Sequence, residues 1–429
     1  MRLLCLSNGH GEDAIAVSIL KALQALPQSP HIDVLPIVGE GHAYEKHNFL
    51  MIGTVKVMPS GGFIYMDGQQ LAKDIQGGLL TLTLEQLKTI RQWAQVAKRS
   101  GESALVLAVG DVVPMFFAWQ SGLPFAFIGT AKSDYYLRDE SGPIDRSSWW
   151  DDRFAYATGS VYYPWERWFM TRKRCKAVFP RDRITTETLQ TLGIPAYDLG
   201  NPMMDLDLKV SVQTTSDAAL TILLLPGSRS PEVYRNWEVI MSGVQDLCTK
   251  FDRTVQFLVA LSPGLERDRF EKALRQAGWD LASENSDLKT SREWNFQGPE
   301  GVFHLTLGGG SFSEYAYRAE VAIAMAGTAT EQFVGLGKPV LTLPGAGPQF
   351  TPAFAEAQTR LLGSSVLHLQ QPTQMASRLM QLLHNPVELS DIATNGRSRM
   401  GPSGAADRIA QALVSQTLIG NSSLIYSNS

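Results

Sequence analysis

The sequence predicts an α/β protein built from two doubly wound, Rossmann-like domains. Apolar runs of strand length alternate with helical patterns along the chain, and the alternation restarts after a polar stretch at 202–215. Such alternation favours a parallel sheet with helices on both faces. A length of 429 residues suits two or three domains. We expect an N-terminal domain at 1–207, a C-terminal domain at 208–418 and a flexible tail at 419–429.

Each predicted domain begins with an apolar strand and continues as alternating strands and helices. The first domain has predicted strands at 2–6, 32–37, 104–109, 125–128, 178–180 and 196–199, and a first helix at 13–26. The second has predicted strands at 221–225, 255–261, 302–305, 321–325 and 340–343. The last helical pattern, 405–419, is expected to pack back across the linker. Ligands bind at the carboxyl ends of such strands, so we expect the site in a cleft between the domains.

The composition is that of an ordinary globular protein. It is 44% hydrophobic and 19% charged with a net charge of −4, which does not favour nucleic-acid binding. The three cysteines lie far apart without metal-ligand spacing, which favours a reducing compartment and predicts no metal site. The chain has no apolar run near the ~18 residues of a membrane span. We interpret Met1–Leu6 as a strand rather than a signal core and expect a cytoplasmic protein.

Two turns have the chemistry of anion sites. Gly227, Ser228 and Arg229 follow the apolar run 220–225 and precede a helical pattern. A glycine allows close backbone approach, helix-start N–H groups attract an anion, and arginine suits phosphate. A second turn follows the apolar run 321–325; its candidate ligand-binding residues are Gly327, Thr328, Ala329, Thr330, Glu331 and Gln332. Two such turns in one half of the chain predict one diphosphate held between them.

The loop after the first strand is a candidate catalytic loop. His10 lies between Gly9 and Gly11, where little shields it from a ligand, and a histidine there can take a proton from an acceptor hydroxyl. Asp13, although a candidate ligand-binding residue, is interpreted chiefly as a helix N-cap. Asp111 follows the buried strand 104–109 and is equally well interpreted as a general base, a partner that orients His10, or a helix cap.

Further loops offer weaker signals. The glycine triplet 308–310 allows close approach to a ligand or acts as a hinge. The loop 344–350, with Gln349, follows a predicted strand and is expected to face the ligand. Downstream, Gln358 and Glu356 lie on a predicted helix and are candidates to bind a sugar or ribose hydroxyl, although solvation is the better interpretation for Glu356.

A basic and aromatic segment suggests contact with an anionic lipid surface. Seven basic residues against two acidic ones lie between 166 and 183, just after a group of aromatic residues at 162–169. The apolar, glycine-containing segment 49–82 is expected to form an acceptor-side flap. The alternative for the basic segment is a solvated helix whose aromatic residues pack on the domain. We therefore leave peripheral membrane contact through 162–183, and through 49–82, as an open expectation.

These motifs, taken in order, resemble those of the lipid-A-disaccharide synthases. The turn 225–229 is similar to their sugar-nucleotide turn, and 326–330 to their Ser-Gly-Thr-Ala turn. The segment 199–205 is similar to their Gly-His-Pro-Leu-x-Asp segment, 8–13 to their Gly-Glu-Ala-Ser-Gly-Asp loop, and Asp111 to an aspartate after a matching strand. The resemblance covers most of the chain. It implies a GT-B glycosyltransferase that is inverting and independent of metal and cofactor, with a UDP-sugar donor, typically an N-acetylglucosamine derivative, and a lipid-linked acceptor.

By the same resemblance, the first turn would hold diphosphate or uridine, the second would cradle the diphosphate, and Asp111 would serve the acceptor. The chain departs from the family pattern at Gly9, which replaces a glutamate, and at His10, which is extra and resembles the loop of related lipid II and galactolipid glycosyltransferases. The family glutamate falls at Gln332, with Glu331 one residue early, so either is a candidate for the ribose. The chain therefore looks like a divergent relative.

Two other functions remain open from the sequence. A UDP-sugar 2-epimerase shares the two-domain fold but needs no acceptor. A non-catalytic nucleotide-sugar or lipid-binding protein would keep the fold without turnover. The retention of His10, Asp111 and Arg229 favours an enzyme.

Overall fold

The computed structural model describes residues 1–56, 79–144, 157–205, 219–262, 264–285, 293–298, 301–308 and 312–418. The chain divides into two compact units. The first contains Met1–Leu206 together with Ser403–Ser429, and the second contains Asp207–Pro402. Both are α/β units with a mainly parallel sheet, which confirms the predicted fold class.

The first unit has eight described strands and seven described α-helices. The strands are β1 (Arg2–Ser7), β2 (His31–Pro36), β3 (Leu50–Met51), β4 (Ala104–Gly110), β5 (Phe125–Gly129), β6 (Arg138–Asp139), β7 (Gly142–Pro143) and β8 (Cys175–Phe179). The helices are α1 (His10–Gln24), α2 (His42–Lys46), α3 (Leu79–Arg99), α4 (Val112–Gln120), α5 (Pro164–Met170), α6 (Arg183–Thr191) and, at the chain end, α14 (Ala405–Leu418).

The main sheet of the first unit has the strand order β3-β2-β1-β4-β5-β8, with all neighbours parallel. Numbered within the sheet, this is the 3-2-1-4-5-6 order of a Rossmann fold. The chain leaves β1 toward one side and returns at β4 on the other, so the loops after these two strands flank the topological switch point. Ligands of doubly wound sheets bind at that point.

The second unit repeats this plan and extends it at one edge. Its strands are β9 (Leu220–Leu225), β10 (Val255–Ala260), β11 (Asp280–Asn285), β12 (Glu293–Gln297), β13 (Phe303–Gly308), β14 (Val321–Ala324), β15 (Val340–Thr342) and β16 (Val366–His368). Its helices are α7 (Glu232–Lys250), α8 (Arg267–Gln276), α9 (Phe312–Arg318), α10 (Thr328–Gly335), α11 (Pro352–Leu362), α12 (Met375–Leu383) and α13 (Pro386–Met400).

The second sheet has the order β11-β12-β13-β10-β9-β14-β15-β16. Its six neighbouring strands β13-β10-β9-β14-β15-β16 are parallel. They again follow the 3-2-1-4-5-6 order, with the switch point between β9 and β14. The antiparallel strands β11 and β12 lengthen one edge. The sequence pattern missed these two and β16, because short or polar edge strands lack a long apolar run.

Apolar packing explains why these segments form one sheet and its flanking helices. All six residues of β9 are buried, as expected for a central parallel strand. Trp237, Ile240, Val244 and Leu247 recur at helical spacing on α7 and join the same core. Each such side chain contributes roughly 1.5–3 kcal/mol when buried. The central strand and α7 therefore form a fixed base for the loops that follow β9.

Several expected boundaries differ from the structure. The first helix begins at His10 rather than at residue 13. The expected strand at 196–199 is wrong: Ala196 makes an isolated bridge to Val178 because the segment runs beside β8 for a single residue pair. The structure places Gly308 at the end of β13. We expect the interdomain linker at 202–215; its first residues, Pro202–Asp205, form a short 3-10 helix, and the rest lies outside the described residues. The other two glycines of the triplet, the tail at 419–429 and most of the 49–82 segment also lie outside them.

The last helix belongs to the first unit. Asp205 accepts hydrogen bonds from the backbone N–H groups of Gly404 and Ala406, and the Arg408 side chain donates to the Leu199 carbonyl at 3.0 Å. The second unit therefore ends at Pro402 rather than at residue 418. Among the described helices, none is long and apolar enough to cross a membrane.

Candidate functional site

The two predicted anion turns are neighbours in the second unit. β9 and β14 pair in parallel, with Leu225 opposite Ala324, and the turns leave the carboxyl ends of these adjacent strands. The Met325 N–H donates to the Leu225 carbonyl at 2.8 Å, so the pairing continues to the start of both turns. The 227–229 and 326–330 segments therefore flank the switch point of one sheet, where a doubly wound fold binds its ligand.

Gly227 shapes the first turn. Its φ of +103° lies in the left-handed region, which side chains disfavour. A Cβ added there would lie 3.4 Å from the Met325 carbonyl oxygen on the second turn. Ser228 and Arg229, which follow, are exposed to solvent. The glycine therefore permits the backbone angle of the turn, which lies in contact with the neighbouring strand.

The second turn opens helix α10, whose N-cap residue is Gly327. Thr328 is exposed and Ala329 half-buried. Thr330 is fully buried, and its hydroxyl donates to the Ala326 carbonyl at 2.7 Å; its expected contact with a ligand is therefore replaced by a bond inside the turn. Glu331 and Gln332, the two candidates for a ribose contact, are both buried on α10.

Two amide side chains fasten these turns. Asn236, on α7, donates through Nδ2 to the carbonyls of Pro226 at 3.0 Å and Met325 at 3.4 Å, one on each turn. Gln358, on α11, donates through Nε2 to the Ala326 carbonyl at 2.9 Å. The expectation that Gln358 reaches a sugar hydroxyl is corrected, because it is buried and its amide nitrogen holds the backbone. Glu356 is exposed and pairs with Arg360, as the solvated interpretation has it.

A third loop at the same edge is held by the start of α7. The buried Glu232 carboxylate accepts the N–H groups of Gln349, at 3.1 Å, and Phe350, at 2.6 Å. Arg235 donates to the Gly347 carbonyl at 2.6 Å. The backbone of Gln349 is thus used within the protein, while its side chain is exposed. Helix α7 therefore positions all three carboxyl-end loops.

Sequence reasoning missed Asn236 and Glu232. A signal for Asn236 was present, since an amide lies among Val233, Trp237 and Ile240 on the buried face of a helix. A polar side chain on an apolar face needs a partner, and here the partners are carbonyls of the two turns.

The first unit has a polar cluster at its own switch point. Asn8 follows β1 and donates through Nδ2 to Asp111 Oδ2 at 3.0 Å, and Asp111 follows β4. The other oxygen of Asp111 accepts the Val113 N–H at 2.8 Å and so caps α4. Burial raises the pKa of Asp111, opposed by these two hydrogen bonds. Asp111 is therefore both a helix cap and a carboxylate with raised proton affinity.

Further polar groups surround this pair. A Cβ added to Gly110, whose φ is +126°, would lie 3.1 Å from Glu12 Cγ, so the loops after β1 and β4 pack closely. The Thr130 hydroxyl lies 3.5 Å from Glu12 Oε1. Lys132 forms an ion pair with buried Glu166 at 2.5 Å and lies 4.5 Å from the Tyr163 ring centre. Carboxylates, an amide and a hydroxyl in one cluster suit the recognition of hydroxyl groups.

Asp13 lies beneath the candidate catalytic loop rather than at its surface. It is 1% exposed, one turn into α1, whose N-cap is Gly9, so the N-cap interpretation of Asp13 is wrong. Ser7 Oγ donates to Asp13 Oδ1 at 2.5 Å and lies 2.6 Å from the Tyr44 hydroxyl. Burial raises the pKa of Asp13 to about 7, and the Ser7 bond opposes the shift. This burial favours a supporting role over direct ligand contact.

The Asp13 environment predicts a pH-dependent stability. A folded-state pKa near 7 against an ordinary 3.8 means that folding favours the protonated form, so stability falls as pH rises from about 4 to about 7. We expect Asp13→Asn to remove this contribution, on the order of 2–4 kcal/mol, because an amide does not titrate. Urea unfolding across this pH range, with Asp198→Asn at an exposed position as control, measures it. If the free energy of unfolding changes with pH in the same way in the wild type and in Asp13→Asn, the prediction is contradicted.

His10 and its flanking glycines open helix α1. Gly9, with φ +126°, precedes the helix, and Gly11 is exposed with no atom within 4 Å of an added Cβ. The side chain of His10 lies outside the described part of the structure, so its role as base stays a prediction. Among the described residues, no group of three or more His, Cys, Asp or Glu side chains is placed to hold a metal ion.

The basic and aromatic segment is partly core and partly surface. Tyr162 is buried, and Phe169 on α5 packs against Trp119 with ring centres 5.6 Å apart. Trp165 and Trp168 on the same helix are 52% and 43% exposed. The Arg172 guanidinium lies 4.3 Å from the Trp168 ring centre. The Arg174 guanidinium lies 5.5 Å from the ring centre of the half-buried Trp119, and Lys176 follows in β8. One exposed indole ring, that of Trp168, therefore lies beside a cationic side chain.

Comparisons with known proteins identify the fold. The sequence matches no protein-family model and no curated protein. UDP-GlcNAc 2-epimerase from Neisseria meningitidis bound to UDP-GlcNAc is similar with 15% identity and a TM-score of 0.54, over 97% of this chain and all of the other. S. aureus MnaA in complex with UDP gives 12% identity and a TM-score of 0.57, with 98% of each chain covered. MurG from Acinetobacter baumannii is similar with 12% identity and a TM-score of 0.55, over 96% of this chain and 99% of the other.

These similarities extend over nearly the whole chain at low sequence identity. Together with the two sheets of Rossmann strand order and the paired turns of the second unit, they show that this chain has the GT-B fold.

Proposed function

We propose that this protein is a GT-B glycosyltransferase that moves a sugar, of the N-acetylglucosamine type, from a UDP-sugar to a lipid-linked acceptor. The observation that carries the proposal is the pair of glycine turns at 227–229 and 327–329, which leave adjacent strands at one switch point. Solved structures of this fold include one bound to UDP-GlcNAc and one bound to UDP.

The donor side of the reaction is assigned to the second unit. Gly227 lets the ligand approach the backbone, Gly327 opens a helix whose N-terminus attracts an anion, and Arg229 adds an exposed cation. These groups would stabilise the negative charge that develops on UDP as the bond from the sugar C1 to the phosphate oxygen breaks. In this proposal they take the place of a metal ion, and no cofactor is required.

The acceptor side is assigned to the first unit. Asp111 or His10 would take the proton from the acceptor hydroxyl as its oxygen forms the new bond to C1, with inversion. Asn8 and Val113 hold the Asp111 carboxylate in place. Glu12 and Thr130 lie beside it and are suited to bind other hydroxyl groups of an acceptor sugar.

A lipid-linked acceptor is supported by the surface of α5. Trp165 and Trp168 are exposed on this helix, and the Arg172 guanidinium lies over the Trp168 ring. Exposed indole rings together with cationic side chains bind anionic lipid interfaces. We propose peripheral contact with the cytoplasmic face of a membrane through this surface.

The membrane surface predicts a measurable loss of vesicle binding. We expect the double variant Trp165→Ala and Trp168→Ala to lower partition onto anionic vesicles about tenfold or more, because two indole rings no longer enter the interface. Sedimentation with vesicles of anionic and of zwitterionic lipid measures it. Leu192→Ser, which removes an apolar side chain of 41% exposure at the C-cap of α6, serves as the control. Unchanged binding of the tryptophan variant would remove the membrane contact from the proposal.

A UDP-sugar 2-epimerase is the second candidate, since several of the similar structures are UDP-GlcNAc 2-epimerases. The deciding experiment is UDP release from UDP-N-acetylglucosamine, UDP-glucose and UDP-galactose, with and without a total lipid extract from the source cells. Release that requires lipid supports the glycosyltransferase and identifies its donor. Lipid-independent release supports epimerase or hydrolase chemistry, and tight binding without turnover supports a non-catalytic binding protein.

A further inference from the structure

Three peptide units in the paired turns of the second unit are held in fixed orientations by buried amides. The carbonyls of Pro226 and Met325 accept from Asn236 Nδ2, and the Ala326 carbonyl accepts from Gln358 Nε2. Both amide side chains are buried, at 3% and 2% exposure. The donors therefore fix where these three carbonyl dipoles, one on the first turn and two on the second, point.

The orientation of a carbonyl sets that of the next N–H. The peptide bonds that follow Pro226, Met325 and Ala326 are trans, because the cis bonds of the described chain lie at Pro231 and Pro348. In a planar trans peptide the N–H points opposite to the C=O. Carbonyls drawn toward Asn236 and Gln358 therefore turn the N–H groups of Gly227, Ala326 and Gly327 away from those side chains.

These N–H groups are available to a ligand. Within the described part of the chain, the N–H groups of Gly227, Ala326 and Gly327 form no hydrogen bond. Gly227 and Gly327 are partly exposed, and neither carries a side chain to cover its backbone, whereas Ala326, on the second turn, is 9% exposed. Converging N–H groups on adjacent turns form an anion-binding concavity.

We propose that Asn236 and Gln358 are positioning residues that aim the N–H groups of Gly227, Ala326 and Gly327 at the diphosphate of the nucleotide. Asn236 contributes more to this positioning than Gln358, because its single Nδ2 group donates to carbonyls on both turns and so fixes their separation as well as their orientation. The inference rests on the proposed binding of a UDP-sugar, and adds how the protein prepares the site before the ligand arrives.

The test compares phosphate-dependent affinity between variants. Asn236→Asp keeps the shape but places a carboxylate oxygen against two carbonyl oxygens, and Gln358→Met removes the other donor. Asn395→Asp is the matched control, since its amide donates to the Leu362 carbonyl at 2.7 Å and to Ser365 Oγ at 2.8 Å in the same unit. The dissociation constants of UDP and of uridine are measured for each protein, with melting temperatures alongside.

We expect the ratio of UDP to uridine affinity to fall about tenfold or more in Asn236→Asp, less in Gln358→Met, and not in Asn395→Asp, even where melting temperatures fall equally. A purely structural role would lower both affinities together and leave the ratio unchanged, which would overturn the inference. Equal affinity of the wild-type protein for UDP and uridine would instead overturn the proposed function itself.

A second measurement uses the wild-type protein, so it does not depend on how the variants fold. We expect UDP to shift the amide proton resonances of Gly227, Ala326 and Gly327 downfield, and uridine to leave them in place, because hydrogen bonds to phosphate require the phosphate. Unmoved resonances at saturating UDP would overturn the inference.

Discussion

Replacing Gly227 with alanine is expected to weaken UDP binding about tenfold or more, with a loss of stability of about 1–3 kcal/mol. The φ of +103° is unfavourable for alanine, although the new Cβ would lie at an ordinary contact distance, 3.4 Å, from the Met325 carbonyl oxygen. Relief of this backbone strain is expected to shift the turn, and the Gly227 N–H with it. Calorimetric titration with UDP measures the loss.

Gly278→Ala separates strain from binding. Gly278 has φ +80° in the same unit, in the turn between α8 and β11, and no atom lies within 4 Å of an added Cβ. We expect it to lose comparable stability while it keeps UDP affinity. If both variants bind UDP as the wild type does, the first turn does not hold the nucleotide.

Asp111→Asn is expected to lower the turnover number by about 10²- to 10⁴-fold if Asp111 is the general base, with UDP affinity unchanged. The amide cannot accept the acceptor proton. The fold should tolerate the change, because asparagine is also a good N-cap and the Asn8 Oδ1 atom, buried without a partner, is free to accept from the new amide. Steady-state kinetics with donor and lipid extract measure the loss.

The pH profile distinguishes the two candidate bases. Because burial raises the pKa of Asp111, its proton must leave before it acts, so kcat/KM should rise with pH through a value above the ordinary aspartate range. Asp111→Asn should abolish that limb. If His10→Ala causes the large loss and Asp111→Asn a small one, His10 is the base and Asp111 orients the acceptor.

The candidate site could be predicted where a short motif carries its own chemistry. Gly227, Arg229 and Gly327 were found because a glycine turn between an apolar run and a helix has a local physical purpose, and Asp111 because it follows a buried strand. Motif reasoning failed where side chains serve the fold. Thr330 and Gln358 look like ligand contacts in sequence, but both hydrogen-bond to the Ala326 carbonyl in the structure.

The sequence by itself determined the α/β class, the two Rossmann-like halves and the turns that carry anion chemistry. Hydrophobic period and glycine position are local properties, so a single chain segment reveals them. Only the tertiary structure decided that the 227 and 327 turns leave neighbouring strands and that Asn236, 89 positions from Met325 in sequence, hydrogen-bonds to both turns. It also decided that Asp13 is buried and accepts a hydrogen bond from Ser7. Strand order and buried hydrogen-bond partners depend on which distant segments pack together, and no local pattern encodes that choice.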